Sequence, residues 1–175
     1  KAYEWAPDGS KIAYIRFNES RVKEWHIPIY KGLKPEKGQN RLYPRMYTYK
    51  YPKAGEKNSL ISVHVYDLQD KSTTEVDIGK ETDQYIPRIR WTQDPDQLSV
   101  FRMNRLQNHL EILVADATTG NSEVMYEEKN EYFIDAGYLD DIRFLPGDKY
   151  FILMSEMEDY AQLYLYNMQG ERVEK

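Results

Sequence analysis

Apolar and polar positions alternate along most of this chain in runs of strand length, and the runs come in pairs joined by turn residues. Trp5-Ala6-Pro7-Asp8-Gly9-Ser10-Lys11-Ile12-Ala13-Tyr14-Ile15 reads as a strand end, a tight reversal and a returning strand. Pro7 presets φ at the corner, and Gly9 supplies the positive φ that closes it. A degenerate copy runs from Ile89 through Asp94-Pro95-Asp96 to Val100, and a third from Ile142 through Pro146-Gly147 to Ile152. Each copy is followed by a hairpin of a second kind. Ile61 to Asp67 turns back into Thr73 to Ile78, and Glu111 to Asp116 turns through Thr119-Gly120-Asn121 into Glu123 to Tyr126. Leu163 to Asn167 turns through Gln169-Gly170 toward Val173.

Asp67, Asp116 and Asn167 recur at intervals of about 50 residues, the period of a four-stranded propeller blade. Two hairpins per period in fixed order predict an all-β chain, a partial β-propeller of about three four-stranded antiparallel blades in meander order. The blades are expected over residues 1–79, 83–128 and 138–175, the last of them stopping as its fourth strand begins. The competing fold is a β-sandwich, but a Greek key has no need to alternate two hairpin types three times. Three blades cannot close a ring, so the chain alone is expected to self-associate through open blade faces. Both ends read as cut from a longer chain.

The first period is too long. Between Phe17 and Ser59 lie about forty residues without counterpart in the later periods. They contain two strand-like stretches, Val22 to Tyr30 and Leu42 to Tyr51, around a Gly/Pro/Lys-rich turn from Lys31 to Asn40, so a β-hairpin arm is expected over about residues 21–51. Trp25, Ile27, Ile29, Tyr43, Met46, Tyr47 and Tyr49 are many large side chains for an isolated two-stranded ribbon, which is only marginally stable in water. They are expected to pack on a rim of the same protein or on a partner subunit.

Composition narrows the function classes. With 41% hydrophobic residues the chain can support a packed core, and its 16 Tyr favour strands over helices. The net charge of −5 is spread evenly, with no basic stripe to neutralise phosphates, so a nucleic-acid partner is not expected. The absence of Cys excludes disulfides, thiolate metal sites and a cysteine nucleophile.

The segments around the arm carry a family resemblance. Phe17-Asn18-Glu19-Ser20-Arg21-Val22, followed after the arm by Tyr51-Pro52-Lys53-Ala54-Gly55, closely resembles the propeller of the dipeptidyl peptidase IV family of serine peptidases. Arg102-Met103-Asn104-Arg105-Leu106-Gln107-Asn108 is similar to that family's strand and turn in the next blade. The resemblance implies an eight-bladed propeller over a C-terminal α/β-hydrolase domain that releases X-Pro and X-Ala dipeptides. It implies a homodimer formed through the arm, and a bacterial periplasm or cell-envelope setting.

It is equally informative by subtraction. No Gly-x-Ser-x-Gly elbow is present, so no catalytic residue and no cofactor are expected in this chain, which alone should be inactive. The family's paired glutamates precede its Trp turn, whereas here only Lys1 to Glu4 precede Trp5. Glu127-Glu128 should not be mistaken for them and reads as a solvated loop. In the family, the loop opening the third blade present here reaches the substrate with an aromatic and an arginine. The corresponding stretch, Tyr132 to Asp141, is shorter and acidic, leaving Tyr132 and Tyr138 as the candidate substrate-binding residues. Trp25, Ile27, Tyr43 and Tyr47 are the candidate dimer contacts on the arm.

The remaining chemistry is sparse. His26, His64 and His109 fall on different strands without a metal-ligand spacing, so no metal is expected. Asp140-Asp141 and Glu156, Glu158 and Asp159 are adjacent only in turns and read as solvated. Two rival functions stay open. One is a scaffold propeller with no hydrolase domain; the other is the propeller of an acylaminoacyl or oligopeptide hydrolase.

Overall fold

In the computed structural model, residues 2–30 and 43–174 are described. The expected turn from Lys31 to Asn40 lies outside the described residues. The chain divides into two compact units, one formed by Lys1–Phe17 with Ile61–Lys175 and the other by Asn18–Leu60.

The first unit consists of three four-stranded antiparallel sheets. Strands β1 (Tyr3–Trp5), β2 (Lys11–Asn18), β5 (Leu60–Asp67) and β6 (Thr73–Val76) form the first, in that order. Strands β7 (Gln84–Trp91), β8 (Gln97–Asn104), β9 (His109–Asp116) and β10 (Ser122–Lys129) form the second as a simple meander. The third contains β11 (Arg143–Phe144), β12 (Tyr150–Ser155), β13 (Gln162–Asn167) and β14 (Arg172–Glu174). All-β architecture with successive meander sheets is what the paired hairpins predicted.

Turn chemistry sets the sheets. The first hairpin of each closes with the same backbone bond: Ala6 N to Lys11 O at 2.9 Å, Thr92 N to Gln97 O at 3.1 Å, and Leu145 N to Tyr150 O at 2.9 Å. The second hairpins all turn on a side-chain cap, in which Asp67, Asp116 or Asn167 accepts from the backbone two residues on.

The cores lie between sheets. Ala13, Ile15, Val63 and Val65 of the first sheet pack with Ile89, Leu98, Val100 and Leu113 of the second. The face of the second sheet bearing Phe101, Met103 and Ile112 packs with Phe144, Phe151, Leu153 and Tyr164 of the third. Strand alternation makes this possible, since successive side chains point to opposite faces and a sheet between two neighbours is apolar on both. In the second core the Phe151 and Tyr166 rings stack at 5.3 Å, and Tyr126 meets Tyr166 edge-on at 4.9 Å. Full burial of one such ring stabilises the sheets by roughly 1.5–3 kcal/mol.

The second unit holds a two-stranded ribbon, β3 (Glu24–Ile29) with β4 (Arg45–Lys50). Its register pairs Trp25 with Tyr49 and Ile27 with Tyr47, so these four side chains share one face. His26, Thr48 and Met46 belong to the other, where His26 and Thr48 are hydrogen-bonded at 2.8 Å. The Tyr-Pro-Lys-Ala-Gly segment returns past the ribbon's base. Lys53 places its ammonium 4.1 Å from the Trp25 ring, and Lys23 pairs with Glu56.

Candidate functional site

The first strands of successive sheets adjoin one another, β1 against β7 and β7 against the turn before β11. In a ring of blades this edge lines the central channel. Two arginines stand on it two residues apart, Arg88 and Arg90 of β7, on the same face by alternation. Arg90 reaches Glu4 of β1 at 2.8 Å, and the Trp91 indole donates to the Glu4 carbonyl at 3.1 Å. Arg88 forms a two-pronged pair with the Asp140 carboxylate, one arm of it at 2.7 Å. Arg90 and Arg143 donate to the Asp140 carbonyl at 3.3 and 3.2 Å. Three guanidiniums therefore converge on a single residue. Arg88 holds the Asp140 carboxyl below the usual carboxylate range by donating to it.

Asp140 is the penultimate residue of a 3-10 turn, Ala136–Asp141, within the loop that joins the second and third sheets. Asp135 caps that turn by accepting from the Gly137 amide at 2.7 Å. Upstream, Asn130 accepts from the Tyr132 amide at 2.8 Å, and the Ile134 amide bonds to the Gln107 carbonyl at 2.8 Å. Ile134 and Leu139 are buried beneath the loop. The loop is thus pinned at its start, middle and end, and it displays what lies between. Tyr132 is 79% exposed, and its neighbour Phe133 is also open. Tyr138 differs from Tyr132. It is half-buried, and its hydroxyl donates to Glu156 at 2.8 Å, a bond that raises its pKa.

Below Tyr138 a crevice of about 10 Å³, room for about one water, is lined by Phe133, Leu139, Glu128 and Ser155. Glu128 is buried there, which corrects the expectation of a solvated loop for Glu127-Glu128. Both residues lie on strand β10. A bulge between Val124 and Tyr126 shifts the register and turns Tyr126 and Glu128 inward together. Tyr126 and Ser155 each donate a hydroxyl to Glu128 at 2.8 Å. Burial, reinforced by the neighbouring Glu128 charge, pushes the Tyr126 phenol well above its usual range. Glu127 faces out, accepting from Lys129 and meeting His109 at 2.7 Å.

The turn acids expected to be merely solvated are paired as well: Asp140 with Arg88, Glu156 with Tyr138, and Glu158 with Arg172 at 2.6 Å. His109, Glu111 and Glu127 come together across β9 and β10. Glu111 is already held by Arg102 at 2.8 Å, and Glu127 by Lys129. Of the arm candidates, Trp25, Ile27 and Tyr47 share a face, while Tyr43 precedes β4 and is 81% exposed.

Successive four-stranded meander sheets, packed face to face with their first strands along one edge, define a β-propeller segment. The chain belongs to the dipeptidyl peptidase IV (DPP IV) N-terminal region family, whose model matches residues 1–175. The structure is similar to the crystal structure of Porphyromonas gingivalis dipeptidyl peptidase 4, with a TM-score of 0.84 and 33% identity, covering 100% of this chain and 24% of that one. The sequence is 28% identical over 174 residues to dipeptidyl peptidase 4 of Trichophyton equinum, covering 95% of this chain and 22% of the relative. It is 30% identical over 155 residues to inactive dipeptidyl peptidase 10 of Rattus norvegicus, covering 86% of this chain and 18% of the relative. The chain thus spans about a quarter or less of the length of these relatives.

Proposed function

We propose that this chain is the non-catalytic propeller segment of a serine exopeptidase that releases X-Pro and X-Ala dipeptides from peptide N-termini. The observation that carries the reading is the family match over residues 1–175. In the full-length enzyme an eight-bladed ring restricts access to a C-terminal α/β-hydrolase domain, so that only slender peptide ends arrive. Tyr132 meets the peptide from the loop between the second and third sheets, a role supported by its open ring on a pinned backbone. Tyr138 lies on the same loop and lines the peptide path with its ring, while its bond to Glu156 fixes its hydroxyl. The arm pairs two subunits through Trp25, Ile27, Tyr43 and Tyr47. The periplasm or cell envelope of a bacterium is the proposed setting, in keeping with the likeness to the Porphyromonas gingivalis enzyme.

A second reading is favoured by the similarity to inactive dipeptidyl peptidase 10 of Rattus norvegicus. On that reading the parent is a binding propeller without turnover. One assay separates the two. The full-length protein is incubated with chromogenic Gly-Pro and Ala-Ala amides and with a longer X-Pro peptide. Dipeptide release supports the enzyme, and none at any pH sinks it. In an active enzyme Tyr132→Ala should raise KM for the longer peptide several-fold with kcat little changed, the signature of lost binding at a distance from the reacting bond.

A further inference from the structure

The second hairpins of the three sheets close in the same way. The Asp67 amide bonds to the Ser72 carbonyl at 3.0 Å, Asp116 to Asn121 at 2.9 Å, and Asn167 to Glu171 at 3.0 Å. The residue just before each accepting carbonyl has positive φ: Lys71 at 53°, Gly120 at 78° and Gly170 at 77°. Counted back from the closing carbonyl, these three residues hold the same position in three successive sheets, the third turn being one residue shorter, and only the first of them carries a side chain.

At the two junctions inside the chain the glycine is required by space as well as by φ. A Cβ on Gly120 would stand 2.1 Å from the Glu75 carbonyl oxygen on β6, the last strand of the preceding sheet. A Cβ on Gly170 would stand 2.0 Å from the Met125 carbonyl oxygen on β10. Both obstacles are backbone and cannot swing aside. Around Gly120 the docking is also bonded: the Asp77 amide donates to the Gly120 carbonyl at 2.8 Å, Thr74 to the Thr118 carbonyl at 3.2 Å, and Ser122 to the Asp77 carbonyl at 2.5 Å. Each turn thus lies directly on the outer strand of the sheet before it, backbone against backbone. A lysine side chain at that position and a strand docked at that distance exclude one another.

We infer that the junction between the first sheet and the blade preceding it in the full-length ring is splayed at its outer rim, held by the sheet faces alone and open beside Lys71. This inference rests on the ring proposed above. It makes that junction the place where neighbouring blades separate first, because it lacks the close turn-on-strand backbone packing present at the other two.

The test labels the native full-length protein with an amine acylating reagent and, separately, with a tyrosine nitrating reagent. Rates are read by mass spectrometry against the same protein unfolded in urea. Tyr14 reports the ring, because it lies on the face of the first sheet opposite Ala13 and Ile15, and a preceding blade would cover it. Lys71 reports the rim. The inference expects Tyr14 to be slowed by about tenfold or more and Lys71 to react within about threefold of its unfolded rate. Protection of both residues overturns the splayed rim and leaves the ring standing. Free reaction of both overturns the ring reading. The docking rule has its own control, in which Gly120→Ala should speed hydrogen exchange at the Asp77 amide by about tenfold. An unchanged Asp77 amide would show that the glycine sets no spacing and would remove the basis for reading Lys71 as a gap.

Discussion

In the three sheets Phe101, Phe151 and Tyr164 have no exposed surface, whereas in the arm Tyr47 is 58% exposed and Trp25 is 38% exposed. The two regions draw on the same residue types and the same alternation. They differ in how many faces each strand pair can cover. The middle sheet has a neighbour on each side, so both of its faces bury aromatic and aliphatic groups. The ribbon of β3 and β4 has one pairing and no second layer of its own, so Trp25, Ile27, Tyr47 and Tyr49 gather on one face with their side chains partly open. These partly open groups are what the proposed subunit contact would cover.

The contrast can be broken most forcefully at Phe151. Phe151→Ala leaves a cavity between the second and third sheets and should lower propeller stability by about 3–5 kcal/mol. The matched change in the arm, Tyr47→Ala, should alter it by less than about 0.5 kcal/mol, as for surface sites away from special features. Denaturant unfolding of the full-length protein, followed by hydrogen exchange in the sheets, compares the two. Equal losses would erase the distinction.

A smaller effect is expected at Tyr164. Its hydroxyl is buried without a hydrogen-bond partner among the described residues. Tyr164→Phe removes an unsatisfied polar atom and should leave stability unchanged or raise it by up to about 1 kcal/mol. A loss of that size would reveal a partner. At the arm's base, Lys53→Met removes the cation over Trp25 and should cost about 0.5–1 kcal/mol locally, read as faster exchange in the ribbon with the sheets unchanged.

The smallest effect is a pH dependence at the inner edge. Asp140 has its folded pKa depressed by Arg88, so its contribution is present above the unfolded carboxylate value near 3.9 and fades as pH falls through the lower folded value. The carboxylate is half-exposed, so solvent screening keeps the pair below about 1 kcal/mol. Asp140→Asn should therefore speed exchange in the 130–142 loop modestly at pH 7, and this effect should shrink as pH falls below the unfolded carboxylate value near 3.9. A mutant effect that grows on acidification would contradict the assignment.

Much of the fold was legible because its signals are local. Pro7-Asp8-Gly9, Pro146-Gly147, Gly120 and Gly170 mark reversals, and alternation marks the strands between them. The arm was legible as an excess of residues in one period. The inner edge left no such trace. Arg88 and Asp140 lie 52 residues apart, and nothing beside either predicts the other. Glu128 was misread for a related reason. The bulge at Val124 to Tyr126 adds one residue to β10 and reverses which side chains point inward, a change that alternation counted along one strand cannot register. The loop aromatics were legible as a pair, but not that Tyr132 stands free while Tyr138 is tethered to a carboxylate eighteen residues on.

The difference between covered sheets and an uncovered ribbon is tested most directly by sedimentation velocity on the full-length protein carrying Trp25→Ser, Ile27→Ser and Tyr47→Ser together. The account predicts a dimer for the unaltered protein and a monomer for the variant across the micromolar range, with sheet hydrogen exchange the same in both. A variant that sediments as the same dimer with the same affinity would contradict it.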